Sequence, residues 1–174
     1  MLNVILDFVR GNEQAALCCA SSAFAAALYP GGQTAHNLFK IDVTKEKHSV
    51  EKVECSVPPS SQKAEILRSA KIVIWDEFVM THKQNFEAVD EMLRSIRRNP
   101  NVPCGGLIFV CAGDFRQIPP VVEHGGKWNT IEASVKNTKL WPLFEKITLT
   151  TQMRQTEDSD FSEYDANCWI KIHS

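Results

Sequence analysis

Two carboxylates, Asp76 and Glu77, follow directly on the apolar run Ile72-Val73-Ile74-Trp75. One carboxylate able to hold Mg²⁺, beside a second able to orient or deprotonate a water, forms the acidic half of a nucleotide-hydrolysing site. An acidic strand end is also a common solvated turn, so the pair gains weight only from its surroundings. Three other apolar runs end in polar groups. Ala15–Ala20 leads into Ser21-Ser22, Gly106–Ala112 into Gly113-Asp114-Phe115-Arg116-Gln117, and Ile147–Thr150 into Gln152-Met153-Arg154. In a parallel sheet these ends share one rim, where ligands bind. A metal ligand, a phosphate-sensing amide and a guanidinium would then converge there. The glycine-rich GxxxxGK[ST] loop that completes such equipment appears nowhere in the 174 residues.

The elements that must position these groups alternate between strand and helix. Leu2, Ile5, Leu6 and Val9 recur at helical spacing, and Gly11-Asn12 ends that helix. The run over 15–20 reads as a buried strand. Ser21-Ser22 offer an N-cap for a small helix over Ala23 to Leu28, which Pro30-Gly31-Gly32 stops. Residues 33–40 form a polar segment on the same rim as Asp76. Residues 42–61, charged and then rich in Pro and Ser, read as a surface excursion. A short helix over 62–70 leads into the central strand. Phe86, Val89, Leu93 and Ile96 mark an amphipathic helix whose Glu87, Glu91, Arg94 and Arg97 read as a solvated face. Strand, helix and strand over 72–112 make a βαβ unit. A helix is expected over 129–136 and a fourth strand at 147–150. From Gln155 onward the chain is polar and acidic, and no closing element is expected.

Composition narrows the class. Apolar residues make up 44% and charged residues 23%, enough to bury the core of one α/β domain. The net charge of −2 lacks the basic footprint of a general nucleic-acid binder, so any polyanion contact must be local. The six cysteines show no CxxC pairing and no metal spacing with the five histidines, and they read as reduced thiols of an intracellular protein. No apolar run is long enough for a membrane span, and Asn3, Asp7 and Arg10 interrupt the N-terminal apolar stretch that a signal peptide needs.

Four stretches, in order, carry a resemblance: Leu28–Ile41 (LYPGGQTAHNLFKI), Ile74–Met80 (IWDEFVM), Gly113–Val122 (GDFRQIPPVV) and Leu149–Arg154 (LTTQMR). Together they resemble the PIF (petite integration frequency) family of superfamily-one DNA helicases, including the helicase segments of Helitron-like elements. The resemblance spans roughly residues 1–154. It implies the first RecA-like P-loop NTPase motor domain, a parallel sheet flanked by helices, followed by a polar tail over 155–174. It implies ATP as substrate and Mg²⁺ as cofactor. Asp76 is then the metal ligand, Glu77 the residue that polarises the attacking water, Gln117 the γ-phosphate sensor and Arg154 the arginine that reaches the γ-phosphate. Asp114 and Arg116 read as a pair bracing the loop between them. Pro30, Thr34, His36 and Phe39 fall in the segment that in the family meets single-stranded DNA, although His36 and Phe39 could equally pack onto the domain's own core.

The same resemblance implies 5′-to-3′ unwinding in DNA repair, recombination and telomere maintenance, in the nucleus or the mitochondrion. It places the missing phosphate loop immediately before Leu2, because the first helix resembles the one that follows that loop. It also leaves out a second motor domain and suggests a premature end near Ser174. The isolated chain is therefore expected neither to hydrolyse ATP nor to unwind DNA. The rival reading is a non-catalytic remnant that binds single-stranded DNA or a protein partner.

Overall fold

The central strand β3 (Ile72–Asp76) buries alternate side chains on opposite faces, as the unbroken apolar run requires. It lies between β1 (Ala16–Ala20) and β4 (Ile108–Gly113), parallel to both. The computed structural model describes residues 1–42, 52–115, 120, 126–149 and 167–172. Within them the sheet runs β2-β1-β3-β4-β6-β5, with β2 at Gln33–Thr34, β5 at Phe144–Leu149 and β6 at Asn167–Ile172.

Helices cover both faces. On one side α1 (Leu2–Gly11) sets Leu2 and Leu6 against Ala16, Cys18, Ile72, Ile74 and Ala112. On the other, a larger core gathers Cys19, Val73, Trp75, Phe109 and Cys111 from the strands. Leu38 and Phe39 reach it from α3 (Ala35–Phe39), Ala64 and Leu67 from α4 (Gln62–Ser69), and Phe86, Val89, Leu93 and Ile96 from α5 (Lys83–Ile96). Trp75 is its hub, stacked on Phe39 at 5.4 Å and met edge-on by Phe78 at 5.3 Å and Phe86 at 6.0 Å. The short α2 (Ala23–Ala26) and α6 (Lys127–Ala133) complete the helices. Side-chain caps start α2 at Ser22, α3 at Thr34 and α4 at Ser61, each accepting a backbone N–H of the first turn.

Several expectations change here. A closing strand does exist past Gln155. β6 enters between β4 and β5, antiparallel to both, so β5 lies two places from β4. Its NCWIKI sequence has the aromatic and β-branched content of a strand, but the acidic stretch before it hid the pattern. The excursion over 42–61 is not purely superficial. Val53 and Val57 are buried, and Cys55 bridges antiparallel to Ile41. On α5 the charged face is partly structural. Arg94 pairs with Asp90 at 2.8 Å, and Arg97 donates to the carbonyls of Leu67, Arg68, Ala70 and Gly105 at 2.8–3.1 Å. The carbonyls of Leu67, Arg68 and Ala70 end α4 and need partners from outside the helix, which is why Arg97 folds back from solvent. The helix expected over 129–136 begins and ends earlier, followed by a 3-10 turn at Val135–Asn137.

Candidate functional site

Asp76 is the last residue of β3, and period-two alternation puts its side chain on the α1 face with Ile72 and Ile74. Both carboxylate oxygens are engaged. Oδ1 accepts the Glu77 backbone N–H at 2.9 Å, and Oδ2 accepts the Tyr29 hydroxyl at 2.5 Å. Burial, followed by the bond to Asp76, pushes the Tyr29 phenol above its ordinary range, so it is a permanent donor at neutral pH.

Glu77 sits in the left-handed region, φ 52° and ψ 34°, between the strand and a 3-10 turn at Phe78–Met80. This conformation is uncommon for a residue with a Cβ. It turns the side chain so that Oε2 is buried with no hydrogen-bond partner among the described residues. Burial raises its carboxyl above the ordinary value, and the neighbouring Asp76 and Asp114 carboxylates raise it further. An orphaned, basic carboxylate oxygen at a strand end is equipped to take a proton from water.

The rim is held together by small groups whose contacts only the folded sheet reveals. The Ser21 backbone N–H donates to the Asp76 carbonyl at 3.1 Å. Its hydroxyl receives the Trp75 indole N–H at 3.2 Å and lies 3.0 Å from the Thr81 hydroxyl. Ser21 thus pins the end of β1 to both sides of the acidic turn. Gly113 ends β4 so close to that turn that a Cβ would stand 2.8 Å from Val79 Cγ1. Next to it, Phe115 is anchored edge-on by Trp141 at 5.4 Å and capped by the Lys136 amine at 3.9 Å.

Among the candidates from sequence, Asp76, Glu77 and Asp114 come together. Gln117, Arg154 and Arg116 lie outside the described residues. Pro30 is exposed, and His36 is half-buried. Thr34 is half-buried, with its hydroxyl accepting the Asn37 N–H at 3.2 Å as the cap of α3. Phe39 does not face outward. It is 0% exposed and stacked on Trp75, so its ring cannot meet a base. Apolar burial decided between the two readings of that ring. Nothing in the residue pattern pointed to Lys63, which α4 carries to this segment. Its amine donates to the Asn37 carbonyl at 2.8 Å, and the Lys40 amine reaches Asn37 Oδ1 at 3.1 Å. Burial lowers the Lys63 pKa, and the Lys40 charge lowers it further. These two ammonium groups make a local cationic spot on a chain of net negative charge.

The donor set fits Mg²⁺ in one particular way. No group of three or more ligating side chains occurs among the described residues. Mg²⁺ needs no such cage, since one or two carboxylates with water and phosphate oxygens suffice. Asp76 can supply that carboxylate, with Glu77 beside it. Among the described residues, no helix is long and apolar enough to cross a membrane.

Comparison with known proteins agrees with this geometry. The family model described as PIF1-like helicase matches residues 1–169. The ATP-dependent DNA helicase Pif1 of Psychrobacter sp. is 30% identical over 154 residues, covering 88% of this chain and 23% of that protein. Unliganded Pif1 from Bacteroides sp. superposes with a TM-score of 0.69 at 22% identity, over 91% of this chain and 37% of that one. Bacteroides Pif1 in complex with ADP-AlF3 and ssDNA gives 0.63 at 23% identity, over 82% and 33%. The chain spans between 15% and 23% of the length of three curated relatives that it matches.

Proposed function

The chain belongs to the PIF1-like helicase family, and from that premise we propose that it forms part of the ATP-hydrolysing first motor domain of a DNA helicase. The observation that carries this reading is the acidic turn at the end of the central strand. There Asp76 stands ready as a metal ligand, and Glu77 presents a buried oxygen with no partner among the described residues. Bound Mg²⁺ would neutralise charge on the β- and γ-phosphates. This chain's part is to hold Asp76 toward the cation and to accept, on Glu77 Oε2, the proton of the attacking water. Gln117 and Arg154 are proposed as γ-phosphate sensor and charge stabiliser, on the strength of their motifs.

Single-stranded DNA is proposed to cross the segment of Pro30, Thr34 and His36, with Lys40 and Lys63 as added phosphate contacts. A related Bacteroides protein has been solved with ssDNA and ADP-AlF3, which supports single-stranded DNA as the ligand class. Translocation 5′ to 3′, roles in DNA repair, recombination and telomere maintenance, and residence in the nucleus or mitochondrion rest on the family resemblance. The test is ATP turnover by the full-length protein with DNA present. Glu77→Gln keeps the size and removes the base, and is expected to lower kcat by about 10²- to 10⁴-fold with little change in nucleotide affinity. Turnover within threefold of wild type would reject the assignment.

A second reading follows from the absence of GxxxxGK[ST] among these 174 residues. It takes them as a non-catalytic remnant that binds single-stranded DNA or a protein partner.

A further inference from the structure

Tyr29 lies in the Leu28–Ile41 stretch with no chemical role assigned to it there, yet its hydroxyl crosses 47 residues of sequence to donate to Asp76 Oδ2. We propose that Tyr29 is a positioning residue that couples single-stranded DNA on the Pro30–Thr34 turn to the affinity of Asp76 for its divalent cation. The proposal rests on the reading given above for Asp76 and for that turn.

Three features support the coupling. First, the bond is well placed to act on Asp76. With Oδ1 held by the Glu77 N–H and Oδ2 by Tyr29, the carboxylate is confined to one orientation, and part of its charge is already shared with a phenol proton. A carboxylate so engaged is a weaker cation ligand than a free one. Second, Tyr29 cannot move independently of the turn. Its carbonyl accepts the Gly32 N–H at 2.9 Å, and its own N–H donates to the Ala26 carbonyl at 3.3 Å. Gly32 is packed so tightly that a Cβ there would lie 2.2 Å from the Ala26 oxygen. The Pro30 carbonyl is tied to Arg10 Nη1 at 3.0 Å. Third, the two sites lie in one row of the sheet. Thr34 pairs with Ala20, and Ala20 pairs with Asp76. Two strand spacings, about 10 Å, separate them. A strand drawn across the turn pulls on the residue that holds the carboxylate. Loosening the Tyr29 bond frees Oδ2 for the cation. By linkage, the cation tightens DNA binding by the same factor.

Tyr29→Phe removes only the hydroxyl and keeps the ring, which packs against the cluster between α1 and the sheet. The experiment titrates Mn²⁺ into the full-length protein and follows the free-ion electron paramagnetic resonance signal, with and without oligodeoxythymidylate. In the wild type, DNA is expected to tighten Mn²⁺ binding at least threefold. In Tyr29→Phe, Mn²⁺ should bind without DNA as tightly as the DNA-bound wild type does, and DNA should add nothing. Asp76→Asn should abolish the response. A Tyr29→Phe protein that keeps the full DNA-dependent shift overturns the proposal. So does one that binds Mn²⁺ more weakly by the same factor with and without DNA, which is the signature of a merely structural residue. Wild type that binds oligonucleotide with no shift overturns the coupling alone. Wild type that binds no oligonucleotide overturns the strand-binding reading and the coupling with it.

Discussion

Glu77 shows how a single backbone conformation can define a site. Its left-handed φ of 52° breaks β3 sharply and accompanies a buried Oε2, at a cost of roughly 1–2 kcal/mol. Interactions around the turn hold that strain, chiefly Ser21 on the Asp76 carbonyl and Asp76 on the Glu77 N–H. Buried thiols make a second prediction at this scale. Burial pushes Cys19, Cys104 and Cys111 well above the ordinary thiol value of 9.0. They should resist iodoacetamide at pH 8 in the native state and react on unfolding, as mass spectrometry would show. Because the folded value is the raised one, their contribution to stability is complete below pH 9 and is lost as pH climbs beyond it. The urea midpoint should therefore fall between pH 9 and pH 10.5. A flat midpoint across that interval would contradict the assignment. Asp76 and Glu77 could be found in the sequence because the abrupt end of an apolar run is a local signal. The Tyr29–Asp76 and Ser21–Thr81 contacts could not, because only the folded sheet brings those residues together.

At the level of elements, α3 separates structural from binding roles within one short stretch. Phe39→Ala empties a site at the hub of the larger core and should cost about 3–5 kcal/mol. Thr34→Ala loses the cap and should cost about 0.5–2 kcal/mol. Both are read from denaturant curves. If the ring is purely structural, the Phe39 variant that remains folded should bind single strands as the wild type does. The junction of β4 with the acidic turn makes another prediction. Gly113→Ala drives a methyl group into Val79 and should destabilise by about 1–3 kcal/mol. Adding Val79→Ala should recover part of that loss, and strict additivity of the two changes would count against the contact. Strands β1, β3 and β4 were legible because burial on both faces produces unbroken apolar runs. β2 and β6 were not: the first is two residues long, and the second draws its place from pairing with strands far away in sequence.

For the whole molecule, the net charge of −2 makes any DNA contact depend on where the cations sit. Lys40 and Lys63 converge on Asn37 at the mouth of the segment proposed to bind the strand. Changing both to Gln should weaken single-strand binding and reduce the slope of log affinity against log salt by about 0.7 for each phosphate no longer neutralised. An unchanged slope would place the strand elsewhere. The position of β6 carries a consequence for synthesis. Until residues 167–172 have left the ribosome, β4 and β5 each keep a bare hydrogen-bonding edge, and β5 has nothing in the sheet to join. Exposed edges of this kind invite pairing with other chains. A nascent polypeptide stalled before that point would therefore be a prime client for chaperones, and pairing of residues 167–172 covers the open edge of β4 and one edge of β5.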